Sequence, residues 1–157
     1  MTIGEMLNWS SNAKQCLANS GFRLLMNEGT SIKRGQDLIY LSGIDDLLSG
    51  TPDPAKVFKN PRLDPDVFHI LLVHEPDYTK ETEKRPVDLQ LSGHSHGGQI
   101  RLPGTGPLIT PALARKYPSG LYRISERLTL YTNRGLGTTI LPFPLYCRPE
   151  VTMIELI

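Results

Sequence analysis

Two apolar runs dominate the hydrophobic pattern of the chain, and residues that stop a strand follow both. In residues 69–74, four consecutive apolar residues precede His74, and Pro76 ends the run. In residues 88–93, a second run ends at a glycine. We predict two strands that are buried on both faces and joined by a helix over residues 77–84. A strand, a helix and a strand in this order indicate a parallel crossover.

The remaining pattern predicts a helix near the start of the chain and strands on either side of the two runs. Apolar residues recur at helical spacing over residues 3–17, residues 22–26 and 37–44 predict a hairpin, and Asp53 followed by a proline predicts a short helix. In the last third of the chain, loops rich in Pro and Gly separate four segments that we predict to be strands in an antiparallel or mixed arrangement. These segments are residues 99–102, 120–125, 128–133 and 151–157.

Charge and composition exclude several classes of partner. The 157 residues include 17 Lys and Arg and 16 Asp and Glu, which gives a net charge of +1, and no block of like charge occurs. Nucleic acid is therefore not indicated as a partner. No signal peptide and no segment of membrane-helix length is present, so we expect a cytoplasmic location. With no repeat and no linker, residues 1–157 are expected to form one α/β domain.

The strongest chemical signal is Gly93-His94-Ser95-His96-Gly97-Gly98-Gln99, directly after the second predicted strand. Imidazole is the commonest metal ligand, and glycines let the backbone turn sharply around a bound group. His74 follows the other strand, and ligands collect beyond the carboxyl ends of parallel strands. We interpret His74, His94 and His96 as candidate metal ligands. The alternatives are an ordinary turn at His94 and His96 and a core role for His74. His69 is expected to be structural or exposed.

Asp45 and Asp46 follow the strand predicted over residues 37–44. Carboxylates after a strand can bind a metal. The Ser-Gly-Thr-Pro sequence of residues 49–52 favours turn formation instead.

Several segments of the chain resemble the calcineurin-like metallophosphoesterases, in particular the bacterial subgroup that carries a Gly-His-Ser/Thr-His-Gly-Gly-Gln turn. Besides the histidine turn, these segments are residues 41–46, 73–77, 106–110 and 133–138. The resemblance implies a phosphoester substrate and a four-layer αββα sandwich with two metal ions at the strand ends. It makes Asp45, Asp46, Asn133 and Arg134 candidates for substrate or loop contacts.

The same resemblance implies that His74 and His94 bind one metal ion and His96 the other. Manganese, iron and zinc suit neutral imidazoles. Two such ions activate a water molecule and stabilise the charge of an in-line displacement at phosphorus. No catalytic residue beyond the metal ligands is implied within this chain.

The family's Asp-x-His, Gly-Asp and Asn-His motifs do not occur in the chain. The resemblance therefore implies a carboxy-terminal half with three ligands and without the bridging aspartate. We expect at most one weakly held ion, little activity from the chain alone, and either self-association or pairing with the missing amino-terminal half. The alternative interpretations are a single zinc held by three histidines and an inactive binding module. Metal stoichiometry separates them.

Overall fold

The structure, a computed structural model, describes residues 12–59, 64–104, 106–137 and 145–157. Its strands are β1 (Glu28–Arg34), β2 (Asp37–Gly43), β3 (Phe68–Leu72), β4 (Leu89–Ser92), β5 (Arg101–Leu102), β6 (Gly106–Pro107), β7 (Gly120–Arg123) and β8 (Thr129–Thr132). Its helices are α1 over residues 12–19, α2 (Pro54–Phe58) and α3 (Thr79–Thr82), with 3₁₀ turns at Pro76–Tyr78 and His96–Gly98. No helix within these ranges is long and apolar enough to cross a membrane.

Six of the strands form one mixed sheet in the order β1-β2-β3-β4-β8-β7. Strands β2, β3, β4 and β8 are parallel neighbours, and β1 and β7 are antiparallel strands at the two edges. Strands β3 and β4 pair in parallel with α3 between them in sequence, which confirms the predicted crossover. The chain is therefore α/β, and the mixed arrangement predicted for the last third is confirmed at β7 and β8.

The two faces of this sheet differ in how well they are covered. One face carries a buried apolar cluster formed by Ile44, Val57, Leu71, Val73, Val87 and Leu128. At the centre of the opposite face, Ile70 and Leu89 are also buried, so β3 and β4 are covered on both sides there. Elsewhere on that face, Phe68 at the start of β3 and Leu121 on the edge strand β7 remain exposed. The described residues thus complete one layer of cover and leave the other partly open.

Two predicted strands are wrong. Residues 22–26 form no strand, and the partner of β2 in the hairpin is β1. Strand β1 is mostly exposed, so its pairing with β2, rather than burial, defines it. Residues 151–157 also form no strand within the described part of the chain. The short helix α2 is confirmed, with the Asp53 carboxylate accepting from the Lys56 amide at 3.3 Å. Of the predicted first helix, residues 3–11 lie outside the described ranges.

His69 is fully buried in β3 and has a structural role. Its Nδ1 lies 3.0 Å from the carbonyl oxygen of Pro86. Because a carbonyl can only accept, Nδ1 carries the hydrogen, and Nε2 of the neutral ring accepts from the Ser42 hydroxyl at 2.6 Å. Burial lowers the pKa of His69 and outweighs the opposing effect of the Pro86 carbonyl.

Lowering the pH below 6.5 is expected to destabilise the fold through His69. Since the pKa of this group is lower in the folded protein than its ordinary value of 6.5, the unfolded chain binds the extra proton more readily. Stability is therefore fully present above that value and falls as the pH decreases, by at most about 1.4 kcal/mol per pH unit from this residue. Urea melts on both sides of this pH measure the effect. His69→Asn, which keeps a donor near Pro86, should show a smaller pH dependence, and an equal dependence would contradict this role.

Candidate functional site at the strand ends

Two histidines meet beyond the carboxyl ends of adjacent parallel strands. His74 follows β3 and His94 follows β4. Their ring centroids are 4.9 Å apart, with 66° between the ring planes. The amide of Gly93 donates to the carbonyl of His74 at 3.0 Å, which holds the two strand ends together. His96 lies in the same turn as His94 and lines the same cavity as His74 and His94. The three predicted ligands therefore lie at one end of the sheet.

The backbone of the histidine turn, residues 94–99, is unusual. Every residue of this turn except Ser95 has a positive φ, between 48° and 81°. Such angles cost a non-glycine residue on the order of 1–3 kcal/mol, and they cluster at functional sites. Gly97 and Gly98 adopt them without a Cβ penalty. His94 and His96 adopt these angles at that cost, so the surrounding structure must stabilise the turn.

Backbone carbonyls determine which ring nitrogens of His94 and His96 are free. Nε2 of His94 lies 2.9 Å from the carbonyl oxygen of Ala112, and Nδ1 of His96 lies 3.3 Å from that of Gly137. Each of these nitrogens must carry the hydrogen, because a carbonyl only accepts. In the neutral rings, Nδ1 of His94 and Nε2 of His96 then have free lone pairs. Metal-binding histidines are commonly oriented in this way by a carbonyl on the other nitrogen.

The surroundings of His74 favour its neutral form. The side chain of His74 is exposed in part. Desolvation of its ring by the surrounding protein is nevertheless the largest cause that lowers its pKa. The nearby His94 and His96 lower the pKa further, against the opposing effect of Asp46. A histidine with a lowered pKa is unprotonated at neutral pH and can donate its lone pair to a cation.

Hydrogen bonds with residues that are distant in sequence stabilise the histidine turn. The Ser95 hydroxyl donates to the carbonyl of Pro118 and accepts from the Gly97 amide at 3.0 Å. The buried thiol of Cys147 donates to the carbonyl of His96 at 3.2 Å. A Cβ on Gly97 would lie 2.6 Å from this sulfur, so the close approach requires glycine.

The carboxylates of Asp45 and Asp46 accept hydrogen bonds within their own loop. Asp46 accepts from the amide and the hydroxyl of Ser49 at 2.7 and 2.8 Å, and Asp45 accepts from the Thr51 amide at 2.9 Å. Partial burial acts to raise the pKa of Asp46, but its hydrogen bonds and the nearby His74 lower it overall. Both residues thus form the turn that the sequence favours, and Asp46 also lies within electrostatic range of His74.

Asn133 and Arg134 contact the last segment of the chain. The side-chain Nδ2 of Asn133 donates to the hydroxyl of Thr152 at 3.2 Å, and Nε of Arg134 donates to the Glu150 carboxylate at 2.7 Å. This ion pair raises the pKa of Arg134 and lowers that of Glu150. Neither Asn133 nor Arg134 lines the cavity beside the histidines. Their side chains make loop contacts.

Asp77 is a positioning residue that the sequence analysis missed. Its carboxylate accepts from the backbone amides of Arg115, Lys116 and Tyr117 at 3.0 to 3.3 Å. These amides belong to the loop that also carries Ala112, the partner of His94. Only the Pro-Asp pair at residues 76–77, typical of a turn, hinted at this role. A carbonyl partner has no sequence signal, because every residue offers one.

Asp77→Ala is expected to loosen this loop and to release the His94 ring from a single tautomer. Three backbone amides lose their acceptor, which costs about 1–3 kcal/mol of stability. Nitrogen-15 NMR of the histidine rings should show His94 Nε2 losing its full protonation. Asp53→Ala is the matched control, because it removes a carboxylate that caps the distant helix α2 and should leave the His94 ring unchanged. An unchanged His94 ring in Asp77→Ala would contradict the positioning role.

The donor chemistry of this site fits an imidazole-bound metal ion only in part. The free nitrogens of His94 and His96 and the lowered pKa of His74 suit metal binding. Among residues 12–59, 64–104, 106–137 and 145–157, however, no group of three or more His, Cys, Asp or Glu is arranged to hold a metal ion. The described residues therefore supply candidate ligands rather than a complete metal site.

The chain is similar to several bacterial phosphoester hydrolases. It is 42% identical to the uncharacterised metallophosphoesterase YkuE of Bacillus subtilis over 145 residues, which are 91% of the chain and 49% of the relative. It is 38% identical to the phosphodiesterase YaeI of Escherichia coli over 145 residues, 91% of the chain and 50% of the relative. The UDP-2,3-diacylglucosamine pyrophosphatase LpxG of Chlamydia muridarum is 36% identical over 132 residues, 77% of the chain and 37% of the relative.

The chain spans about half the length of the first two of these relatives. No protein-family model matches it, and no solved structure matches it.

Proposed function

Because the chain belongs to the calcineurin-like metallophosphoesterase family, we propose that it supplies part of the active site of a metal-dependent phosphoester hydrolase. The observation that carries this proposal is the pair of free imidazole nitrogens on His94 and His96, each oriented by a backbone carbonyl beside His74. In the proposed site, His74 and His94 hold one divalent ion and His96 holds a second. Zinc, manganese and iron all suit this donor set.

The residues of this chain act in the reaction by positioning ligands. The carbonyls of Ala112 and Gly137 keep the ring hydrogens on the far nitrogens, so both rings stay ready to bind without rearranging. The left-handed backbone of the histidine turn points successive side chains in directions that a regular strand or helix does not allow. Divalent ions, when bound, would neutralise charge on the phosphoryl oxygens and lower the pKa of a water molecule bound to them.

We propose that the hydrolysed bond is either a phosphodiester bond or a pyrophosphate bond. Two of the relatives are named for such bonds, a phosphodiesterase and a nucleotide-lipid pyrophosphatase. The direct test is metal-dependent hydrolysis of bis-p-nitrophenyl phosphate, with the metal content counted in the same sample. Two ions per active molecule support a dinuclear site, one ion would favour a mononuclear hydrolase, and no ion with no activity would favour a binding module.

We further propose that a second layer covers the open face of the sheet, as in a four-layer sandwich. The exposed side chains of Phe68 and Leu121 on that face, and relatives about twice as long as the chain, support this proposal. Exposed apolar side chains on a sheet face favour association. Light scattering on the isolated chain is expected to show oligomers or aggregates, and a monodisperse monomer with one cooperative urea transition would contradict the proposal.

A further inference from the structure

A cavity of about 580 Å³ opens beside the histidines. His74, His94 and His96 all contribute to its lining. The lining also includes four apolar residues, which together are called the apolar wall: Ile100, Leu108, Ile109 and Pro111. Along its described lining the cavity has no Lys, Arg, Asp or Glu. The described lining therefore offers imidazole nitrogens for a cation and an apolar wall with no partner for a charged group.

The apolar wall is held in place by the same turn that carries the histidines. The amide of Leu108 donates to the carbonyl of Ile100 at 3.0 Å, and Gly98 lets Pro107 approach so closely that a Cβ would overlap it. The side chains of Leu108 and Ile109 are nevertheless 56% and 79% exposed. Contiguous exposed apolar side chains beside a polar site are typical of a ligand-binding surface.

From this arrangement we propose that the substrate carries an apolar arm, alkyl, acyl or aryl, on one ester oxygen of its phosphate. The arm lies against Ile100, Leu108 and Ile109 while the phosphate faces the histidines. This inference rests on the proposed function of the histidines. The cavity is also large enough for such an arm, because a water molecule takes up only about 30 Å³ in the liquid and a phosphate group fills only a small part of 580 Å³.

The test compares the binding of hexyl phosphate and ethyl phosphate to the zinc-loaded protein by calorimetry. Each buried methylene group strengthens binding about fourfold, so even partial burial of the longer chain should make hexyl phosphate at least about tenfold tighter. Ile109→Ser is expected to reduce the ratio of the two affinities at least threefold. Leu121→Ser is the matched control, because Leu121 is 70% exposed and lines a different cavity. It should leave the ratio unchanged.

The outcomes separate this inference from the function on which it rests. If binding of both phosphates depends on zinc and on His94 but hexyl and ethyl phosphate bind equally, the apolar arm is wrong and the proposed function survives. If neither phosphate responds to zinc removal or to His94→Ala, the proposed function itself fails. If hexanol binds as tightly as hexyl phosphate, the wall is a general apolar surface, which would also overturn the inference.

Discussion

Replacing His94 with alanine is expected to lower the affinity of the protein for Zn²⁺ or Mn²⁺ by at least about 100-fold. The hydrogen bond to Ala112 occupies Nε2 and leaves Nδ1 of His94 as a free donor beside His74. Loss of an outer partner of a ligand typically costs 10- to 100-fold in affinity, and loss of the ligand itself should cost more. Calorimetric metal titration measures this effect.

His69→Asn is the control histidine variant for this experiment. His69 is buried against Ser42 and Pro86, within the same sheet and away from the cavity lining. This variant should lose stability and keep its metal affinity. His94→Ala should keep its stability and lose metal affinity. Equal losses of affinity in the two variants would mean that unfolding, rather than a missing ligand, explains the result. Unchanged affinity in His94→Ala would show that His94 is not a ligand.

Gly98→Ala is expected to disrupt the site more than any other single methyl addition in the histidine turn. Gly98 has a φ of 81°, and its Cβ would overlap the Cβ of Pro107 and lie 3.0 Å from the carbonyl oxygen of Ile109. The left-handed conformation costs alanine about 1–2 kcal/mol, and overpacking adds about 1–3 kcal/mol. Because Ile109 belongs to the apolar wall and Pro107 directly precedes Leu108 of that wall, metal affinity and hexyl phosphate binding should fall together with stability.

Gly104→Ala isolates the steric part of this effect. Gly104 has the same φ of 81°, but a Cβ there meets nothing within 4 Å. It should therefore show only the backbone cost of about 1–2 kcal/mol and unchanged ligand binding. Urea melts and metal titrations on both variants make the comparison. Similar losses in the two variants would show that the approach of Pro107 to the turn is unimportant.

The strands that carry the site could be predicted from the sequence because burial and chain breaks define them. The apolar run before His74 and the glycine after β4 mark two strand ends, and parallel strands bring such ends together. Strand β1 could not be predicted in this way. It is a largely exposed edge strand whose pairing with β2 is not encoded in its own pattern, while the more apolar residues 22–26 favoured a strand that does not form.

The candidate ligands could likewise be predicted, but the groups that orient them could not. Ala112 lies 18 residues from His94, and Gly137 lies 41 residues from His96, and both act through backbone carbonyls. The role of Asp77 depends on where the loop after Pro111 folds back, which is a tertiary property. Arg134 is a candidate for substrate or loop contacts, and its ion pair with Glu150 joins two segments whose proximity the sequence does not encode.

In the proposed site, a free nitrogen on each of His94 and His96 binds a divalent metal ion. Titration of Zn²⁺ into protein with nitrogen-15-labelled histidines, followed by NMR, reports on each of these nitrogens separately. We expect the largest changes at Nδ1 of His94 and Nε2 of His96, the nitrogens opposite the carbonyl contacts, and none at the buried His69. Absence of change at both nitrogens with saturating zinc, or an equal change at His69, would contradict the claim.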